Sequence, residues 1–368
     1  MRLDVQLMIY VYMGICLSLL IFNVFYILVD SSRSRRMKNP GSHLKKLRAR
    51  VEEYSATGQM PEEWHADNRR NLSHISRLER FHWSMEKLLE EMPEQANTYL
   101  AACERDFRYL APIYQGREEL EQAYFAKLLE LYGMGRGKEY DELKQVLTEM
   151  ACSSSIYTRE NALQTLYKTG STEAVCQAFF KMSSRDVFHY GKLLTEGLLR
   201  FQGDKILLAA ELWRSREELK NEYVLAVMQF IRMSQEGYEE EFLRILKDKA
   251  ADQEIRLEAV RYFRRYRYEP AYPVLLEIMY SSESIGWEYL AMTALSLENY
   301  PGDETVKALK SALTSYNWYV RYNAADTLVR AFQLKRSDLS DVLNGKDKYA
   351  RDILNYMLQR SERGGEGE

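Results

Sequence analysis

The chain has 368 residues, of which 46% are hydrophobic and 29% charged, with a formal net charge of -3. Those fractions exclude a chain disordered throughout, and only 7 Pro and 18 Gly exclude collagen-like sequence and weigh against a turn-rich all-β fold. A charge so close to zero gives no overall case for binding nucleic acid.

No residue from Gln6 to Val29 is charged. These 24 residues, at a helical rise of ~1.5 Å, reach ~36 Å against ~30 Å of bilayer hydrocarbon. The run therefore predicts a transmembrane helix over 6–29, preceded by a short extracytoplasmic tail, 1–5. It is too long for a signal-peptide core and lacks a small-x-small exit. Within it Gly14 and Ser18 form a small-xxx-small pair, and Asn23 projects from the opposite face. All three are candidates for helix association.

Residues 30–70 read as a basic juxtamembrane linker. Arg33, Arg35, Arg36, Lys38, Lys45, Lys46, Arg48 and Arg50 stand there with no acid between Asp30 and Glu52. Such an excess marks the cytoplasmic side and predicts contact with anionic lipid headgroups. The expectation is a single-pass protein of the cell membrane, N-terminus outside and bulk in the cytoplasm. Pro40 and Gly41 break the linker, and a short helix is predicted from His43 to about Tyr54.

From Asn71 onward the apolar spacing is helical. Leu72, Ile75, Leu78, Phe81, Met85, Leu88 and Leu89 mark one helix face. Leu100, Phe107 and Leu110 mark the next, and two further helices follow before Met150. Residues 71–152 thus read as degenerate helical pairs, 153–362 as repeats and 363–368 as a disordered acidic tail.

The repeat is carried by TRENALQTL, IRLEAVRYF, WEYLAMTAL and VRYNAADTL. Anchored on Ala162, Ala259, Ala291 and Ala324, they are separated by 97, 32 and 33 residues. Ala226 of YVLAVMQF falls 64 beyond Ala162 and 33 before Ala259, and the missing anchor lies near Leu194. A second apolar helix stands between anchors. One pair cannot bury its own apolar face, but stacked neighbours can, and a small residue at a fixed position permits close approach. The Arg three positions before the anchor recurs as Arg159/Ala162, Arg256/Ala259 and Arg321/Ala324. On these residues the chain resembles HEAT-type repeat proteins, in particular the short bacterial repeats related to phycobilisome lyases. The expected fold is all-α: one N-terminal transmembrane helix followed by an α-solenoid of HEAT-like helix pairs.

Chemistry is sparse. Gly133-Met134-Gly135-Arg136-Gly137-Lys138 lacks the first Gly and the Ser/Thr of a phosphate loop and reads as a helix-to-helix turn. His74 and His82 share a helix face without a third ligand. Cys16, Cys103, Cys152 and Cys176 form no C-x-x-C pair and read as separate thiols. No catalytic, metal or cofactor residue is nominated. The densest basic-aromatic cluster places Arg261, Arg264, Arg265 and Arg267 as a contact for an acidic partner or ligand.

The resemblance implies a non-catalytic scaffold. The array is expected to bind a protein partner, itself membrane-associated, and hold it at the inner membrane face, in an envelope or exopolysaccharide synthesis complex. The alternatives are a HEAT-like enzyme of lyase or glycosylase type, or a sensor of acidic ligands at the Arg261–Arg267 face. No cofactor and no nucleic acid are expected.

Overall fold

A computed structural model of the chain describes residues 10–24, 40–137, 141–281 and 286–364. Among them every regular element is a helix and no strand forms. The first helix, α1, runs over residues 10–24 with every side chain exposed. Its described part is shorter than the ~20 apolar residues that a spanning helix needs. Among the described residues no helix is long and apolar enough to cross a membrane. The transmembrane helix expected over 6–29 is corrected accordingly, and with it the single-pass placement in the cell membrane. Residues 6–9 and 25–29 of that expectation lie outside the described residues.

The chain divides into two compact units, one of residues 1–135 and 141–165, the other of residues 136–140 and 166–368. In unit 1, α2 (Pro40–Thr57), α3 (Glu62–Leu72) and α4 (Ile75–Glu91) precede α5 (Pro93–Gln115), α6 (Glu119–Tyr132), α7 (Glu142–Met150) and the start of α8 (Ile156–Thr169). The long α5 is the hub: α2, α3, α4, α6 and α7 all pack on it. Tyr99, Leu100, Cys103, Phe107, Leu110, Ala111 and Tyr114 recur every three or four residues along it, and all are buried. Phe107 sits among Phe81, Phe125 and Tyr132 with ring centroids 6.0–6.2 Å away. Residues 40–72, most of the expected linker, therefore form α2 and α3 of this bundle. Leu47 and Val51, both buried, supply the apolar stripe of α2 that its basic composition obscures.

Unit 2 is repetitive. After α9 (Thr172–Ser184), it continues with α10 (Gly191–Leu199), α11 (Lys205–Arg214), α12 (Asn221–Ser234), α13 (Glu239–Lys247), α14 (Gln253–Arg265) and α15 (Tyr272–Tyr280). Then follow α16 (Trp287–Ser296), α17 (Asp303–Ala312), α18 (Trp318–Asp326), a four-residue α19 (Ser340–Leu343) and α20 (Lys348–Gly364). The even-numbered helices from α10 to α20 pack each on the next. Ala226, Ala259, Ala291 and Ala324 are buried on them, as is Leu194 at the place expected for the missing anchor. This is a helical repeat-like array of packed neighbours. Residues 365–368 of the expected tail lie outside the described residues.

Polar side chains fix the register between repeats. Asn323, just before its anchor, donates to the carbonyl of Ala291, the preceding anchor, at 2.8 Å. Thr327 donates to Ala294 one turn later at 2.9 Å. Within unit 1, α8 repeats both bonds onto α6: Asn161 to Ala123 at 2.9 Å and Thr165 to Ala126 at 3.0 Å. The repeat arginine closes the loop before its helix. Arg159 donates to the Ser153 and Ser154 carbonyls, both at 2.8 Å, and Arg321 to those of Ser315 and Tyr316 at 2.7 and 2.9 Å. Arg351 does the same to Gly345. It marks a further unit whose anchor position holds Leu354 rather than Ala.

Candidate interaction surface

Four of the even-numbered helices of unit 2, α10, α16, α18 and α20, begin with aromatic side chains. Tyr190 precedes α10, Trp287 opens α16, Trp318 and Tyr319 open α18, and Tyr349 stands in the first turn of α20. They fall four to six residues before the buried anchor, so the helical turn that buries the anchor leaves them at the rim. Trp318 is 49% exposed and Tyr349 66%. Trp287 and Tyr319 stack with centroids 5.2 Å apart and planes 20° from parallel. Trp318 lies edge-on to Tyr319 at 5.1 Å and tilted against Tyr322 at 4.8 Å.

Beside them is a shallow, open surface groove of about 290 Å³, lined by Trp318, Arg321, Tyr349, Asp352, Ile353 and Tyr356. Arg321 is held on both sides. One nitrogen bonds the loop carbonyls, and the guanidinium plane lies 5.2 Å over the Tyr349 ring. The same pairing recurs where Arg256 lies 5.3 Å over Tyr289. The groove thus has rigid aromatic walls and a fixed cation. Rings of this kind give large contact area at little rotamer entropy.

The residues singled out by sequence are placed differently. Gly14, Ser18 and Asn23 lie on α1, and the Asn23 amide donates to the Leu19 carbonyl of its own helix at 3.0 Å. Of the basic collar, Arg33, Arg35, Arg36 and Lys38 lie outside the described residues. Lys45, Lys46, Arg48 and Arg50 are in α2, where Arg48 pairs with Glu91 and Arg50 with Asp67 at 2.8 Å. The cluster at the C-terminal end of α14 is largely matched by acids. Arg261 meets Glu258 at 3.0 Å, Arg264 meets Glu298 at 3.0 Å, and Arg267 meets Glu269 at 2.5 Å, while Arg265 lies 5.7 Å over Tyr266. Glu258 is fully buried and also takes Arg232 of α12, so part of this cluster ties one repeat to the next. His74 and His82 do not converge, because the His82 ring bonds the Tyr132 hydroxyl at 2.8 Å.

One constellation escaped the sequence. In unit 1 the buried Asp106 accepts from Asn68 at 2.9 Å and Arg69 at 3.3 Å and lies 2.9 Å from His65 Nδ1, with Cys103 one turn before it on α5. Its members come from helices 38 residues apart, and no local spacing announces them. Burial, and then the Asp106 charge, push the Cys103 thiol far above its ordinary range. It stays protonated, and the network joins α3 to α5 without offering a nucleophile. The aromatic rim is a second such case: its only mark in the sequence is an aromatic four to six residues before the anchors at Leu194, Ala291, Ala324 and Leu354.

No protein-family profile matches this chain, and no curated protein matches it.

Proposed function

We propose that the protein is a non-catalytic adaptor built of HEAT-type repeats, which takes a protein partner on the aromatic face of α16, α18 and α20. The observation that carries this reading is the groove of about 290 Å³ between Trp318, Tyr349 and Tyr356. Exposed Trp and Tyr held by stacking are the side chains that dominate interface energetics. The alternation of ring faces with the fixed Arg321 and with Asp352 suits an extended segment that presents apolar side chains from a polar backbone. The Arg261–Arg267 cluster is less suited to an acidic ligand, since Arg261, Arg264 and Arg267 already have carboxylate partners.

The test places a photo-crosslinking residue at Tyr356 in the full chain and compares adducts formed in its native cells with and without Trp318→Ala and Tyr349→Ala. A single protein adduct that the double variant loses while remaining folded supports the reading, with affinity for that partner falling by roughly tenfold or more. An adduct that survives the double variant would move the site elsewhere. No adduct from any position along the rim would remove the adaptor reading.

A further inference from the structure

Unit 1 encloses a cavity of about 160 Å³ among α2, α3 and α4. Four cationic side chains reach it, Lys46 and Arg50 from α2 and Arg77 and Arg80 from α4, against one carboxylate, Asp67 of α3. That carboxylate is already engaged. Asp67 takes Arg50 at 2.8 Å, Arg70 at 2.7 Å and Lys46 at 3.6 Å. These partners, Arg50 foremost, hold its carboxyl below the usual range. Arg77 donates to the neutral Asn71 amide at 2.6 Å. The Nε of Arg80 is buried and has no hydrogen-bond partner, as is also so at Arg159, Arg256 and Arg321, but of these only Arg80 faces this cavity.

A buried guanidinium nitrogen without a partner costs stability unless an acceptor arrives. The wall also carries the Asn71 amide, a neutral group whose oxygen is taken by Arg77, while the Asn68 amide is turned to Asp106. Behind them His43 shares a hydrogen bond with Ser84 at 2.9 Å. Burial, and then the charges of Arg80, Lys46 and Arg50, lower its pKa to about 4. The imidazole is therefore neutral at ordinary pH, beside cations that the single Asp67 carboxylate offsets only in part. The volume exceeds several times the ~30 Å³ of one water.

We propose that this cavity binds the phosphate group of a small soluble phosphorylated metabolite, with Arg80 and Arg77 as guanidinium donors and Lys46 as a mobile cation at the mouth. A phosphate dianion fits better than a carboxylate. It offers three acceptor oxygens and twice the charge, and guanidinium forks match its geometry. Lys46, with its side chain 65% exposed, is free to swing onto an entering anion.

Calorimetry on the full chain with inorganic phosphate and with glycerol 3-phosphate tests the assignment. Saturable binding that weakens as chloride is added is expected. Arg80→Gln should reduce the affinity roughly tenfold or more and Lys46→Met roughly threefold. Arg105→Gln serves as the control, because Arg105 pairs with Glu62 at 3.0 Å on another face and its loss should change nothing. Each variant is checked for an unchanged circular dichroism spectrum, and Lys46→Met carries the test if Arg80→Gln fails to fold. Absence of saturable binding to either anion would overturn the proposal, as would full affinity in folded Arg80→Gln and Lys46→Met variants. Binding confined to phosphatidate vesicles would overturn the soluble ligand.

Discussion

Arg321 shows what the repeat arginine does. It donates to two loop carbonyls and stacks on a ring, so its shape matters as much as its charge. Lysine keeps the charge but has neither the fork nor the flat face. Arg321→Lys should therefore lose about 1–3 kcal/mol in urea unfolding, whereas Arg336→Lys, exposed and loosely paired at 3.7 Å, should stay within about 0.5 kcal/mol. His43 gives a pH signature. Its folded pKa of about 4 lies below the ordinary 6.5, so the unfolded chain takes up protons first as pH falls. Its contribution is fully present above about pH 6.5 and is lost as pH drops toward about 4. His43→Gln should remove that part of the slope, so wild type loses more stability than the variant between pH about 7 and about 5. Arg159, Arg256 and Arg321 were legible as a repeat because they recur at a fixed distance from a small residue. Their partners were not legible, since a backbone carbonyl leaves no mark in a sequence. Lys46 and Arg50 were legible only as charge, because what decides their role is Asp67, one helix away.

Between helices, close approach is set by the smallest residue available. On α10 that residue is Gly197: a Cβ there would lie 2.0 Å from Cε2 of Tyr167. Tyr167 is 1% exposed and has no room to swing aside. Gly203 is equally tight, with a Cβ position 2.4 Å from the Gly170 carbonyl oxygen. The overlap decides the outcome of Gly197→Ala. Alanine gains roughly 1 kcal/mol in helix propensity, but overpacking costs about 1–3 kcal/mol and the neighbour is a confined ring. The net change should be destabilising, and it should shrink in a Tyr167→Leu background, which makes room for the methyl. A double-mutant cycle by urea denaturation measures this, and equal effects in both backgrounds would refute the contact. This is also why the period broke at α10 in the sequence. At Ala226, Ala259, Ala291 and Ala324 the small residue is the anchor itself, but here the anchor is Leu194 and the small residue stands one turn later. At the N-terminus the uncharged run of 24 residues predicts a span, and among the described residues no helix is long and apolar enough to be one.

The two units bury their apolar surface by different plans, and the plan governs how far damage spreads. In unit 1 five helices share one partner, α5. In unit 2 each even-numbered helix from α12 to α18 meets the even-numbered helix before it and the one after, together with its own outer helix, as α14 meets α12, α16 and α13. A hub makes the bundle cooperative, while a linear array confines a perturbation to nearest neighbours. Matched truncations separate these behaviours. Phe107 on α5 and Phe263 on α14 are both fully buried, and each replacement by Ala should cost about 3–5 kcal/mol. Hydrogen exchange should then differ in pattern rather than in size. Phe107→Ala should speed exchange throughout α2 to α7, because each of those helices packs on α5 or is α5. Phe263→Ala should speed it in α12 to α16 and leave α18 and α20 near their wild-type rates. Loosening of every helix of unit 2 by Phe263→Ala would show one cooperative core there, and the repeat would then be a pattern of sequence without the energetics of an array.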